Sequence, residues 1–94
     1  MEEREYIIAL YEYYGKLLTS KQQLYFEDYY YDNLTMEEIA ENDSVSKNAV
    51  SKQLISIKNK LQNYEEILNL YKNKKSILEI LKNTDYIENI EKYI

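Results

Sequence analysis

Residues 34–61 read LTMEEIAENDSVSKNAVSKQLISIKNKL, and they decide the fold. Thr35 can cap a helix, because its hydroxyl accepts from the N–H groups that a first turn leaves without intrahelical partners. Glu38 stands three residues on and can reach back to the Thr35 N–H, closing a capping box, and Leu34 with Ile39 is spaced as a hydrophobic staple. Ser46 repeats the signal for a second helix, with Val45 and Val50 as its staple pair, although Ala49 leaves the box unfilled. Asn42-Asp43-Ser44 is the turn between them, and the small Ala40 lets the two helices cross closely. The unit is a helix-turn-helix, which commonly lays its second helix in the major groove of DNA.

Upstream, Tyr6, Ile7, Leu10, Tyr11, Tyr14 and Leu17 recur at steps of three and four, predicting a one-faced helix over 3–17. Gly15 near its end allows a neighbouring helix to approach. Thr19 with Gln22 forms another capping box and opens a helix over 20–31, and Asp32-Asn33 supplies the turn after it. Downstream, Val50, Leu54, Ile57, Leu61, Tyr64, Leu68 and Tyr71 alternate steps of four and three, the seam of a coiled coil. Its first half is expected to pack on Ile39, Ala40 and the tyrosines of the preceding helices. Its second half, with Leu61, Tyr64, Leu68 and Tyr71, is expected to meet a second copy of the chain. The lysines of 72–75 predict a bend, Ser76 with Glu79 a cap for a short helix over 77–82, and Thr84 a cap for a last helix over 85–93 that carries Ile87, Ile90 and Ile94. The expected organisation is a helix-turn-helix domain over 1–72 with a C-terminal dimerisation extension over 73–94. If the tail instead folds back on its own long helix, the chain stays a monomer.

Ninety-four residues with no proline and one glycine point to one all-α domain. With neither cysteine nor histidine, the chain has no disulfide, no thiol nucleophile, no imidazole base and few options for a transition metal. No Gly-rich phosphate loop is present, so no enzyme, cofactor or metal is expected. Glu37, Glu38 and Glu41 read as complements to a helix dipole, and Asp28 with Asp32 lacks the further oxygen ligands that calcium requires. No apolar run approaches the roughly 20 residues of a membrane span, and a cytoplasmic protein is expected. Twelve tyrosines at helical core spacings suit a core rather than a base-stacking platform; together with abundant Asn, Ile and Lys they match the drift of an AT-rich genome.

The net charge of −5 is unevenly laid out. Residues 1–45 hold 3 basic and 11 acidic side chains, whereas 46–60 hold Lys47, Lys52, Lys58 and Lys60 and no acid. The acid-free stretch is the second helix of the turn unit, the sign needed to approach phosphates. Its Val50 and Leu54 face inward, and Lys47, Asn48, Ser51 and Lys52 are expected to face out. Asn pairs with adenine, Ser with several base edges, and Lys with guanine or phosphate. The N–H groups at the Ser46 end can hold a phosphate, while Lys58 and Lys60 lie where only backbone contact is in reach.

The stretch LLTSKQQLYFEDYYYDNLTMEEIAENDSVSKNAVSKQLISIKNKLQNYEEIL resembles the YlxM-type proteins, small bacterial factors whose genes neighbour those of the signal recognition particle. The likeness covers residues 6–70 and rests on LLT-x-KQ, YYYDN, T-x-x-EIAE and VS-K-x-AV in that order. It implies a helix-turn-helix without a wing, similar to the fourth region of bacterial sigma factors, and a regulator linked to the secretion pathway. Arginine often stands in that family where this chain has Lys47, so the planar fork is missing here. DNA is the partner this implies; RNA or protein components of the signal recognition particle are the alternative, reached through a plain interaction fold.

Overall fold

The computed structural model describes residues 3–81. Five α-helices and no strand occur among them: α1 (Glu3–Tyr14), α2 (Ser20–Phe26), α3 (Met36–Asp43), α4 (Lys47–Leu68) and α5 (Leu70–Leu81). A 3₁₀ turn over Gly15–Leu17 closes α1, and a π-helical turn over Glu27–Tyr31 extends α2. The chain is an all-α helix-turn-helix protein.

The start signals act as the sequence predicts. Thr19 Oγ1 accepts from the Gln22 N–H at 3.1 Å while Gln22 Oε1 accepts from the Thr19 N–H at 3.3 Å. Thr35 and Glu38 make the same reciprocal pair at 3.1 and 3.0 Å, and Ser46 Oγ accepts from the Ala49 N–H at 3.1 Å. Helix α3 ends with Ser44 in the left-handed region, φ 56°. There the Val45 N–H reaches the Ala40 carbonyl at 3.0 Å and the Ser44 N–H the Glu41 carbonyl at 3.3 Å, so carbonyls that the helix leaves open are satisfied. Val45, expected to staple the next helix, is more than a third exposed, while Val50 is fully buried.

One core holds the unit together. Ile7, Leu10 and Tyr14 of α1, Tyr25 and Phe26 of α2, Ile39 and Ala40 of α3, and Val50, Leu54, Ile57 and Leu61 of α4 are all buried in it. The tyrosines serve this core. Phe26 lies between the rings of Tyr11 (3.9 Å, stacked) and Tyr30 (4.4 Å, stacked), ring contacts that add to plain burial. Arg4 ties α1 to the π-helical turn: its guanidinium donates to the Tyr30 carbonyl at 2.9 Å and to Asn33 Oδ1 at 3.0 Å, and lies 5.1 Å from the centre of the Tyr30 ring.

Two expectations are corrected at the far end of α4. The helix stops at Leu68, where Asn69 takes a left-handed conformation with φ 54°, so Tyr71 belongs to α5. The lysines of 72–75 do not bend the chain, and Ser76 caps nothing; α5 runs through both. The restart comes from tertiary partners. Glu65, 8 % exposed, accepts from the Tyr71 N–H at 3.1 Å and the Lys72 N–H at 3.1 Å. The Tyr14 hydroxyl donates to Glu65 Oε1 at 2.6 Å and accepts from the Leu70 N–H at 3.0 Å. A buried carboxylate is thereby matched to the positive end of α5, and three opening N–H groups have partners. The second correction concerns Leu61. It is fully buried in the chain's own core, because α1 reaches far enough along α4 to cover it, and a second copy cannot touch it. The expected helix over 85–93 lies outside the described residues, as do Ile87, Ile90 and Ile94.

Candidate nucleic-acid interface

The buried positions Val50, Leu54, Ile57 and Leu61 fix how α4 is rolled, since successive residues turn by roughly 100°. The strip opposite them carries Asn48, Lys52, Ile55 and Asn59, all exposed. Ser51 sits at its edge and is half-buried. Lys52 makes no hydrogen bond or ion pair within the described residues.

The other three lysines occupy the flanks and have partners. Lys47 Nζ lies 2.8 Å from Glu37 Oε1 of α3. The carboxylate holds the Lys47 ammonium pKa above its usual range, and the ammonium holds the Glu37 carboxyl below its own. Both side chains are more than half exposed, so solvent and salt screen the pair and it holds only weakly. Lys58 pairs with Glu3 of α1. Lys60 on the opposite flank donates to Gln22 Oε1 at 3.2 Å, and Gln22 in turn donates to Gln53 Oε1 at 3.4 Å. Of the residues expected to face nucleic acid, Asn48 and Lys52 stand together on the outermost strip, with Ser46 at its start and Ser51 beside it. Lys47, Lys58 and Lys60 face sideways towards neighbouring helices.

Ile55 and Asn59 were not among the expected site residues. The signal was in the sequence: each is placed on the same strip as Asn48 and Lys52 once the roll is anchored on the four buried positions. Attention to charge alone passes over an isoleucine and an asparagine.

The four expected dimer residues are also separated. Leu61 is internal, and Tyr64 is half-buried with its ring centre 6.0 Å from that of Tyr14. Tyr71 is half-buried against Tyr6 and Tyr13, at 5.5 and 6.5 Å. Leu68 alone of the four is substantially exposed, at 46 %. Ile67 of α4 and Leu70 of α5 are exposed near it in sequence, and Ile80 is exposed towards the other end of α5. Among the described residues no group of acidic side chains is arranged to hold a metal ion, and no helix is long and apolar enough to cross a membrane.

Comparison with known proteins agrees with this architecture. The family model described as "Putative helix-turn-helix protein, YlxM / p13 like" matches residues 1–94. A UPF0122 protein of Clostridium perfringens strain 13 is 39 % identical over 102 residues, covering the whole chain and 91 % of the relative. One from Clostridium kluyveri is 36 % identical over 107 residues, spanning the whole chain and 96 % of that protein. A third, from Ureaplasma urealyticum serovar 10, is 47 % identical over 74 residues, or 78 % of this chain and 75 % of the relative. With its full length matched and its helix-turn-helix in place, the chain belongs to the UPF0122 family of YlxM/p13-like proteins.

Proposed function

We propose that this protein is a DNA-binding regulatory factor that reads duplex DNA with the outer strip of α4. One observation carries the reading: the second helix of the turn unit begins at a capped serine, and it shows to solvent Asn48 and a Lys52 that has no partner among the described residues, in a stretch of 46–60 without a single acid. Lys47 joins the contact by exchanging Glu37 for a phosphate, which the weak, exposed ion pair permits. Two to four phosphate contacts give a log–log salt slope of about −2 to −4 for one copy. Such affinity is low, and two copies placing their helices about 34 Å apart recover it at a palindromic site. The resemblance to YlxM-type proteins is what supports a link between this activity and the signal recognition particle pathway.

The pairing surface for the second copy is Leu68 with Leu70 and Ile80, without Leu61. These three are exposed apolar side chains, two beside the end of α4 and one near the end of α5, and apolar surface left open to water is where a partner can be held.

A second reading has its own support. Glu37 and Glu3 already neutralise two of the four lysines, which suits an accessory factor that meets protein or RNA of the secretion machinery. A salt titration with generic duplex decides between them. Binding at 50 mM salt that weakens steeply with added salt supports DNA; a folded protein that binds no duplex at that salt supports the accessory factor.

A further inference from the structure

The outer strip of α4 carries a chemical preference as well as a charge. From Asn48, steps of four, three and four lead through Lys52 and Ile55 to Asn59, on the side of the helix facing away from the core. Ile55 is 58 % exposed and is the apolar member of an otherwise polar line. Asn48 and Ile55 are seven residues apart, about 10 Å along the helix at 1.5 Å per residue. That distance corresponds to about three base-pair steps of 3.4 Å.

We infer that this strip selects A·T pairs: Asn48 pairs with an adenine, and Ile55 packs on a thymine methyl about three base pairs along the groove. In the major groove adenine offers N7 as acceptor and N6 as donor, which a carboxamide matches at once, whereas thymine is marked by its C5-methyl group. Two of the groups that favour G·C are missing from the strip, and Lys52 is its one side chain able to bond guanine. The stretch 46–60 has no arginine to fork onto guanine and no carboxylate to accept from cytosine N4. Lys47, the lysine nearest the helix start, lies on the flank beside Glu37 and, in the proposed complex, is taken up by a phosphate. Lys52 has only donors and serves any acceptor or phosphate.

This inference rests on the proposed DNA-binding reading, and one experiment separates the two. Three 20-bp duplexes of equal phosphate count compete for the full-length protein at low salt. One is A·T-rich, one G·C-rich, and one is the A·T-rich duplex with every thymine replaced by deoxyuridine. The expected result is a preference of about tenfold or more for A·T over G·C. Loss of the methyl groups should weaken binding several-fold for the wild type and leave Ile55→Ala unaffected, while Asn48→Ala should lose most of the A·T preference. Both side chains are exposed, so these variants keep the fold. Equal affinity for all three duplexes overturns the base preference while leaving DNA binding in place. A preference for A·T that ignores the methyl group overturns the role of Ile55. A folded protein that binds none of the three overturns the DNA reading and the preference with it.

Discussion

Glu65 does more for this chain than its single charge suggests, because it is buried and accepts from three donors on two different helices. Glu65→Ala should cost about 3 kcal/mol, since it strips partners from the Tyr71 and Lys72 N–H groups and from the Tyr14 hydroxyl; Tyr14→Phe should cost about 1 kcal/mol. Urea denaturation measures both, and equal, near-zero losses would contradict the assignment. Gly15 is constrained by close approach. A Cβ there would sit 2.8 Å from a Tyr11 ring carbon, and that ring is held by stacking on Phe26 and by its bond to Glu27 at 2.6 Å. Gly15→Ala should therefore lower stability by about 1 kcal/mol through overpacking, even though alanine is the better helix former. Ser44 points the other way. It holds a left-handed φ of 56° that favours glycine, so Ser44→Gly should raise stability by about 0.5–1 kcal/mol, read as an increased melting temperature.

At the level of elements, α4 is two devices in series: an outward strip at its beginning and a capped stop at its end. Lys52→Ala should weaken duplex binding at every sequence tested and make the salt slope about one unit shallower, with circular dichroism unchanged. An unaltered slope would place the phosphate contact elsewhere. The beginnings of α2, α3 and α4 were legible because their signals are local: Thr19 with Gln22, Thr35 with Glu38, and Ser46 lie within three residues of the groups they satisfy. The inward face was legible too, from the spacing of Val50, Leu54 and Ile57. What the sequence hid was non-local. Nothing near Asn69 announces a stop, because the groups that restart the chain include a tyrosine hydroxyl far upstream on α1. Leu61 looked like a seam residue because periodicity shows which face is apolar and not which helix covers it. The lysines of 46–60 read as one basic face, yet Lys47 and Lys58 meet acids on α3 and α1 that no linear pattern pairs with them.

The whole molecule gains stability from phenols kept neutral. Burial, helped by the bond to Glu65, pushes the Tyr14 pKa up to about 12, and burial with the bond to Asp43 does the same for Tyr25. The neutral form is the one the fold favours, so this contribution is complete below the ordinary value of 10.0 and drains away as pH rises from there towards 12. Melting temperature followed across that range should fall steeply, and less so in the Tyr14→Phe variant. Assembly is tested at the same scale. Leu68→Asp should convert a dimer to monomers in sedimentation; a wild type that already sediments as a monomer would remove the two-copy arrangement.

The kink at Asn69 has a mechanical consequence for any such pair. Helix α4 is a rigid rod of 22 residues, about 33 Å long, with the outward strip beginning at one tip and the Glu65 pivot near the other. If two copies clasp through α5, a swing of about 5° at the pivot carries each tip about 3 Å, close to the 3.4 Å rise of one nucleotide along a strand. Half-site spacing would then be gauged by the hold of one carboxylate on a helix start, far from any base it helps to place.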